Sequence, residues 1–212
     1  MKSKYTSKYN RTNESGFTLV ELLVSLAIFS IVVIAALGAM LSIADANRRV
    51  QKTRAILDNL SLSIESMARN LRLGNNYHCE KISGNSIPTT GLDTATAASC
   101  DANSGWGDFM AFEDQYGDAA SSTDQAIYYL DQNPANSTNG AIMYKKYDGG
   151  VAIPLTSPEL RVGSLRFYTT GQGAGQQPKI IITISGTSTI GKSQEPVEIN
   201  IQTTVSQRPL NI

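Results

Sequence analysis

The stretch that decides the fold runs from residue 16 to residue 44 and reads GFTLVE followed by LLVSLAIFSIVVIAALGAMLSIA. Its second part, residues 22–44, holds 23 consecutive positions without a charged side chain. At about 1.5 Å per residue, such a helix is roughly 35 Å long and can cross the hydrocarbon core of a bilayer. The sequence therefore predicts one membrane-spanning helix. The alternative is a buried core helix, but a remainder of this size would not ordinarily bury so uniform a run.

The helical pattern continues beyond the apolar run with a different character. Mostly apolar side chains recur at intervals of three and four, which is typical of an amphipathic helix with one face packed on a domain. A coiled coil is the alternative for such a repeat. The stretch Phe17 to Leu73 contains no proline, and Gly74 with the two asparagines after it predicts the helix end. The predicted packed face consists of Val50, Thr53, Leu57, Leu60, Ile64, Met67 and Leu71.

The remaining two thirds of the chain have the character of loops and strands. Residues 75 to about 105 are rich in Ser, Thr, Asn, Ala and Gly, which predicts a connecting loop region. After it come six segments with strand character, of which the last alternates strictly between apolar and polar residues. They predict a half-buried antiparallel sheet whose final two strands form a long-looped hairpin. The segments are residues 108–113, 126–130, 141–147, 161–168, 179–185 and 197–205.

Glu21 stands at the edge of the apolar run. A carboxylate in lipid costs on the order of 2–3 kcal/mol, so it needs a partner or a wet environment. The nearest basic residues, Arg11 and Arg48, do not lie at the i+3 or i+4 spacing that would let them pair with it on a helix. The alternative is that Glu21 sits in the headgroup zone and pairs with nothing.

The segment ahead of the run, residues 1–16, is polar and carries four basic residues and one acidic residue. It has the character of a targeting or processing segment. An ordinary signal peptide is the rival interpretation, because Ala44-Asp45-Ala46 offers a small-x-small cleavage site. The apolar run is, however, much longer than the roughly 7–15 residues usual for a signal peptide.

The basic leader, Gly16-Phe17-Thr18-Leu19-Val20-Glu21 and the apolar helix together resemble the processing site of type IV prepilins and type II secretion pseudopilins. The resemblance implies that a membrane prepilin peptidase cuts after Gly16 and N-methylates Phe17. It also implies that Glu21 neutralises the terminal amine of a neighbouring subunit during assembly. Such a pair would be mutually stabilising in a low-dielectric bundle, whereas either charge buried alone would be costly.

The C-terminal region resembles the larger minor pseudopilins and minor pilins. The resemblance lies in a Tyr-rich strand, Pro154-Leu155-Thr156, a Leu-Arg-Phe strand and a terminal hairpin that ends in QTTVSQR. The implied fold is α+β, a long N-terminal helix packed on a C-terminal antiparallel sheet. The expected domains are the leader 1–16, the helix 17–74 and an extracytoplasmic domain 75–212. The expected localisation is a single-pass membrane protein, then a cell-surface or periplasmic filament.

Cys79 and Cys100 are the two cysteines of the chain. If the domain lies outside the membrane, we expect them to form a disulfide, worth roughly 3 kcal/mol in the chain-entropy model. Two free thiols in a reducing compartment are the alternative. A zinc site is not expected, because no CxxC spacing exists and His78 is the single histidine.

The composition argues against several other functions. The chain has 18 basic and 18 acidic residues, and residues 75–212 hold 8 basic and 13 acidic ones, so no nucleic-acid partner is expected. Residues 131–136 (DQNPAN) have alternating oxygen ligands but lack the glycine and terminal glutamate of an EF-hand, so a polar turn is favoured while calcium binding stays open. We expect no enzyme, no catalytic residue, no metal and no cofactor.

The sequence thus favours a structural subunit of a type IV pilus or type II secretion pseudopilus that assembles through its apolar helix. Its expected partners are other pilin or pseudopilin subunits, prepilin peptidase and an inner-membrane assembly platform. The alternative is a single-span membrane-anchored binding module that keeps residues 1–16, makes no special demand on Glu21 and never assembles.

The N-terminus of the mature protein distinguishes these interpretations. We expect mass spectrometry of protein purified from producing cells to find N-methylated Phe17 as the first residue. The matched observation is the same measurement in cells without prepilin peptidase, where residues 1–16 should remain. A mature chain that begins at Asn47 would instead identify an ordinary secreted protein.

Overall fold

The computed structural model is an α+β protein, as the sequence predicts. It describes residues 16–81, 100, 105–118, 121, 124–133, 136, 140–146, 150–173, 175–188 and 196–208. Residues 1–15 of the predicted leader, and parts of the predicted loop 75–105 and of the turn 131–136, lie outside this set. The chain divides into two compact units, residues 1–48 and 49–212.

Helix α1 spans Leu19–Leu73 and ends at the residue that the sequence predicts. Gly74 follows it, and its amide donates to the carbonyl of Asn70 at 2.9 Å. Asn76 then adopts a φ of 56°, in the left-handed region that asparagine tolerates better than most residues. This turn redirects the chain from the helix straight into a strand.

The strands form two antiparallel sheets. The first has five strands in sequential order, β1 (Asn75–Glu80), β2 (Phe109–Glu113), β3 (Ala126–Leu130), β4 (Ile142–Lys146) and β5 (Ile153–Pro154). The second has three, β6 (Leu160–Thr170), β7 (Lys179–Ser188) and β8 (Val197–Ser206). All six predicted strands are present, and the predicted pairing of the last two is confirmed.

Three features of the sheets differ from the sequence-based prediction. Strand β1 lies where a loop was predicted, because Tyr77 and Cys79 alternate inward although most of their neighbours are polar. The two-residue strand β5 was not predicted. Strand β2 is buried at every position instead of on one face, because Met110 and Phe112 pack in the main core while Phe109 and Ala111 pack in a second cluster on the other face.

The outer part of helix α1 packs on both sheets in one core. Its buried residues are Ile56, Leu60, Ser63, Met67 and Leu71. They join a cluster with side chains of the first sheet, such as Phe112, and of the second, such as Phe167. The predicted stripe is correct at Leu60, Met67 and Leu71.

The first part of that stripe is wrong. Val50 and Leu57 are 49% and 37% exposed, whereas Ile56 is buried. The buried face follows positions 56, 60, 63, 67 and 71, and it begins only where the sheets supply side chains to pack against. Ser63 is tolerated on this face because its hydroxyl donates to the carbonyls of Asn59 and Leu155.

Truncation of the helix face gives a direct measure of this packing. Leu60→Ala removes a side chain with no exposed surface, so we expect it to lower the free energy of unfolding by about 2–5 kcal/mol. The matched control is Leu62→Ala, two positions away and 67% exposed, which should change stability by less than about 0.5 kcal/mol. The measurement is urea unfolding of both variants in detergent. Equal decreases in the free energy of unfolding would contradict this packing.

Candidate processing and assembly site

The segment that joins the leader to the helix is exposed. Gly16, Phe17 and Thr18 precede helix α1, and Phe17 is 82% exposed. The peptide bond between Gly16 and Phe17 therefore lies outside regular structure, in a conformation that another protein can reach. A Cβ placed on Gly16 would meet no atom within 4 Å, so packing within this chain does not require glycine there.

Thr18 begins the helix. Its side-chain hydroxyl accepts a hydrogen bond from the amide of Glu21 at 3.3 Å, and its carbonyl accepts one from the amide of Leu22 at 3.2 Å. Thr18 is thus the N-cap residue. Sequence reasoning missed this role, although Thr-x-x-Glu has the spacing of a capping box, which is the signal that could have found it.

Glu21 lies in the first turn of helix α1, where the helix dipole favours a negative charge. Its side chain is exposed, and among the residues from 16 onward that the structure describes, none forms an ion pair with it. The site therefore presents a carboxylate, an N-cap and an exposed bond within six residues. It holds no group that would neutralise Glu21 in an apolar environment.

The apolar run that follows is exposed along its length within this chain. The structure describes one helix that is long and apolar enough to cross a membrane, and none of that apolar window is buried. Ser25 and Ser30, the polar residues in its first part, donate to the carbonyls of Glu21 and Leu26 at 2.7 and 2.8 Å. Their hydroxyls are satisfied within the helix, which lowers the cost of placing them in lipid.

Cys79 and Cys100 form a disulfide with their Cα atoms 5.5 Å apart. Cys79 belongs to β1 of the first sheet, while Cys100 exchanges two hydrogen bonds with Thr169 of β6 in the second. The bond therefore links the two sheets. Gly107 packs against it so closely that a Cβ there would come within 2.6 Å of the Cys79 sulfur and 2.7 Å of the Cys100 sulfur.

The side chains of the outer unit that could take part in a reaction or bind a ligand contact other side chains instead. His78 lies 3.6 Å from the Glu80 carboxylate, and the disulfide at Cys79 removes the thiol that could have acted as a nucleophile. Trp106 is covered by two cations, since Lys81 Nζ and Arg166 Cζ each lie 4.6 Å from its ring centre. These arrangements stabilise loops and sheet edges.

A shallow pocket lies beside the end of helix α1, and two of the polar side chains that line it have partners. Asn70 donates to the Tyr128 hydroxyl at 2.8 Å, and Asp114 pairs with Lys146 at 3.1 Å.

Four carboxyl groups meet near the end of β2. Glu113 is buried, and this burial raises its pKa above the usual range, as do the neighbouring Asp124, Asp114 and Asp118, while the nearby Gln125 side chain opposes the shift. Among the described residues, no three His, Cys, Asp or Glu side chains are arranged to hold a metal ion.

Described residues of the predicted polar turn 131–136, which follows β3, form hydrogen bonds with one another. The Asp131 carboxylate accepts from the amide of Asn133 at 3.0 Å and from the side chain of Asn136 at 3.1 Å. These contacts are those of an Asx-type turn.

Comparison with known families addresses the N-terminal site. A family model described as the prokaryotic N-terminal methylation motif matches residues 11–37. Comparisons with the curated proteins and with the solved structures gave no match. The motif covers the exposed Gly16–Phe17 bond, the Thr18 cap, Glu21 and the first 16 of the 23 residues of the apolar run.

The motif and the long apolar N-terminal helix support a type IV pilin-like protein. The motif indicates a precursor that prepilin peptidase processes and that assembles with other pilin subunits. Proteins of this type are structural and not catalytic. The single apolar helix is consistent with anchoring in a membrane.

The buried Glu113 gives a pH-dependent prediction. The pKa of Glu113 is higher in the folded chain than in the unfolded chain, so the folded chain binds the carboxyl proton more tightly. The protonated carboxyl group therefore contributes its full stabilisation below the unfolded pKa of about 4.3, and this stabilisation is lost as the pH rises through the folded-state pKa. Glu113→Gln cannot ionise, so we expect its melting temperature to exceed that of the wild type at pH 7, with the gain shrinking towards pH 4. Glu159→Gln, at an exposed position, should show no such trend. A gain independent of pH would contradict the assignment.

Proposed function

We propose that this protein is a structural subunit of a type IV pilus or a type II secretion pseudopilus. Prepilin peptidase cleaves it after Gly16 and N-methylates Phe17, and the mature chain joins the filament through its apolar helix. The observation that carries the proposal is the exposed Gly16–Phe17 bond, directly followed by a capped helix with an exposed apolar surface and an acidic residue in its first turn.

The charge of Glu21 supports lateral assembly. Cleavage after Gly16 creates an ammonium group on Phe17, four positions before Glu21. An isolated carboxylate at the edge of lipid is costly, and no described residue of the chain pairs with it. A neighbouring subunit presents the complementary charge in its own Phe17 amine. The two opposite charges then neutralise each other between subunits, in a low-dielectric environment where the pair is strongest.

The apolar surface supports the same assembly. From Leu22 to Ile43 the large side chains are exposed except for the half-buried Val33, and the hydroxyls of Ser25 and Ser30 donate to carbonyls within the helix. In the membrane, lipid covers this surface. In a filament, the same surface of adjacent subunits covers it, so the helix can leave the bilayer without exposing its apolar side chains to water.

We place the domain of residues 75–212 outside the cytoplasm, with the leader inside. The disulfide between Cys79 and Cys100 supports this, because such bonds form and persist in oxidising compartments. The span connects this domain with an inner-membrane assembly platform, which adds subunits at the base of the filament. The filament then lies in the periplasm or at the cell surface.

Replacement of Glu21 tests assembly separately from membrane insertion. We expect Glu21→Ala to insert into the membrane and to be processed, but to enter sheared filaments at least about tenfold less than the wild type, because loss of a charge partner in an apolar interface costs more than about 1.4 kcal/mol. The matched control is Glu65→Ala, an exposed acid on the same helix that pairs with Arg69.

Equal incorporation of the two variants would contradict the role of Glu21. If neither variant nor wild type is found in filaments while all three remain in the membrane, the protein is instead a single-span anchored module. The measurement is quantitative immunoblotting of the filament and membrane fractions.

A further inference from the structure

Four basic side chains follow the uncharged run of helix α1. Arg48, Arg49, Lys52 and Arg54 lie within seven positions, and all four are exposed. We propose that this group, the basic belt, binds the phosphate groups of anionic phospholipids at the bilayer surface that faces the outer domain. The inference rests on the membrane anchoring of the proposed function and adds a class of lipid partner.

The distance of the belt from the apolar run fits the headgroup layer. The last residue of the uncharged run is Ala44, so at about 1.5 Å per residue Arg48 lies roughly 6 Å and Arg54 roughly 15 Å beyond it. The headgroup region on each side of a bilayer is about 5–8 Å thick. Long Lys and Arg side chains reach several ångströms along a helix, so the first three belt residues can contact phosphate groups.

Among the residues that the structure describes, no acid forms an ion pair with the belt. The ion pairs among the described residues join Arg69 to Glu65, His78 to Glu80 and Lys146 to Asp114. Asp45 and Asp58, the acids that flank the belt on the helix, do not lie within ion-pair distance of it. Between these two acids the helix therefore presents four positive charges to its surroundings.

The outer domain leaves the belt uncovered. Arg49, Lys52 and Ile56 recur at intervals of three and four, so the two cations continue the helix face that the sheets bury from Ile56 onward. Both cations are nevertheless exposed. A face that would otherwise carry apolar packing residues carries positive charge at the point where the helix approaches the membrane surface.

Lipid fits this location better than an acidic protein partner. An anchored chain has headgroups within reach of the belt at all times, and a Lys or Arg near an anionic surface strengthens binding by about fivefold. The belt and the leader each carry four basic residues, one group on either side of the span. Their equal number weakens the charge difference that orients a membrane-spanning helix. The basic belt therefore does not serve to orient the span, whereas attraction to anionic lipid gives it a role.

The test measures which lipids surround the anchored protein. The full chain is reconstituted in vesicles of phosphatidylcholine with a minority of phosphatidylglycerol, and spin-labelled versions of the two lipids report their relative association. The test variant is Arg49→Gln with Lys52→Gln. The matched control is Arg161→Gln with Lys179→Gln, which removes two exposed cations from the sheets. The leader is present in all chains, so its contribution is the same throughout.

We expect the preference of the wild type and of the control for phosphatidylglycerol to exceed that of the test variant by about twofold or more, and chloride to weaken this difference. Equal selectivity of the test variant and the control would overturn the proposal. If inorganic phosphate abolishes the wild-type preference at an ionic strength where chloride does not, the belt holds free phosphate and the lipid assignment is wrong.

Two further outcomes separate this proposal from the proposed function. If the test variant keeps the lipid preference but fails to enter filaments, the belt serves an acidic neighbouring subunit, and the lipid assignment is overturned while assembly stands. If no chain floats with pure phosphatidylcholine vesicles, membrane anchoring itself is wrong, and both proposals fall.

Discussion

The apolar surface of the first half of helix α1 must be kept away from water, and the arrangement of the N-terminal region follows from this constraint. Within the chain no part of the apolar window is buried. Its covering has to come from lipid or from other subunits, since burying apolar surface is the dominant favourable term in both environments. Two polar side chains in this part of the helix, Ser25 and Ser30, donate to backbone carbonyls of the same helix.

The charges mark the two ends of the apolar run. Glu21 lies in the first turn, on a helix start that Thr18 caps, and the basic residues begin four positions after Ala44. The apparent neutrality of the chain, 18 basic against 18 acidic residues, is therefore a sum of unlike parts. The leader has 4 basic and 1 acidic residues, residues 17–73 have 6 basic and 4 acidic ones, and residues 75–212 have 8 basic and 13 acidic ones.

In the outer unit, hydrogen bonds and one covalent bond hold the helix end and the two sheets together. The amide of Arg208 donates to the carbonyl of Arg72 at 2.8 Å, and the Gln207 side chain donates to the carbonyl of Gly74 at 3.0 Å. The last described residues of the chain thus donate to carbonyls at the end of helix α1, where the helix itself supplies no donors. The disulfide links β1 with the segment paired to β6, so both sheets are tied to one core.

Much of this could be predicted because local patterns determine it. Gly74 ends the helix, the alternation in Val197–Ser206 specifies a strand, and the 23 uncharged residues specify a span, each through the chain's own periodicity or turn chemistry. Strand β1 escaped prediction because its polar sequence, NNYHCE, becomes a strand only through pairing with β2, 29 or more residues away.

The sequence by itself determined the class of protein, since the methylation motif and the apolar run are contiguous and need no folding to be recognised. Only the tertiary structure decided which helix face is buried, how the strands divide into two sheets, and that Glu113 is buried with three aspartates nearby. These features depend on contacts between segments distant in sequence. No local pattern encodes which of two plausible faces, such as that of Ile56 or that of Leu57, meets the sheets.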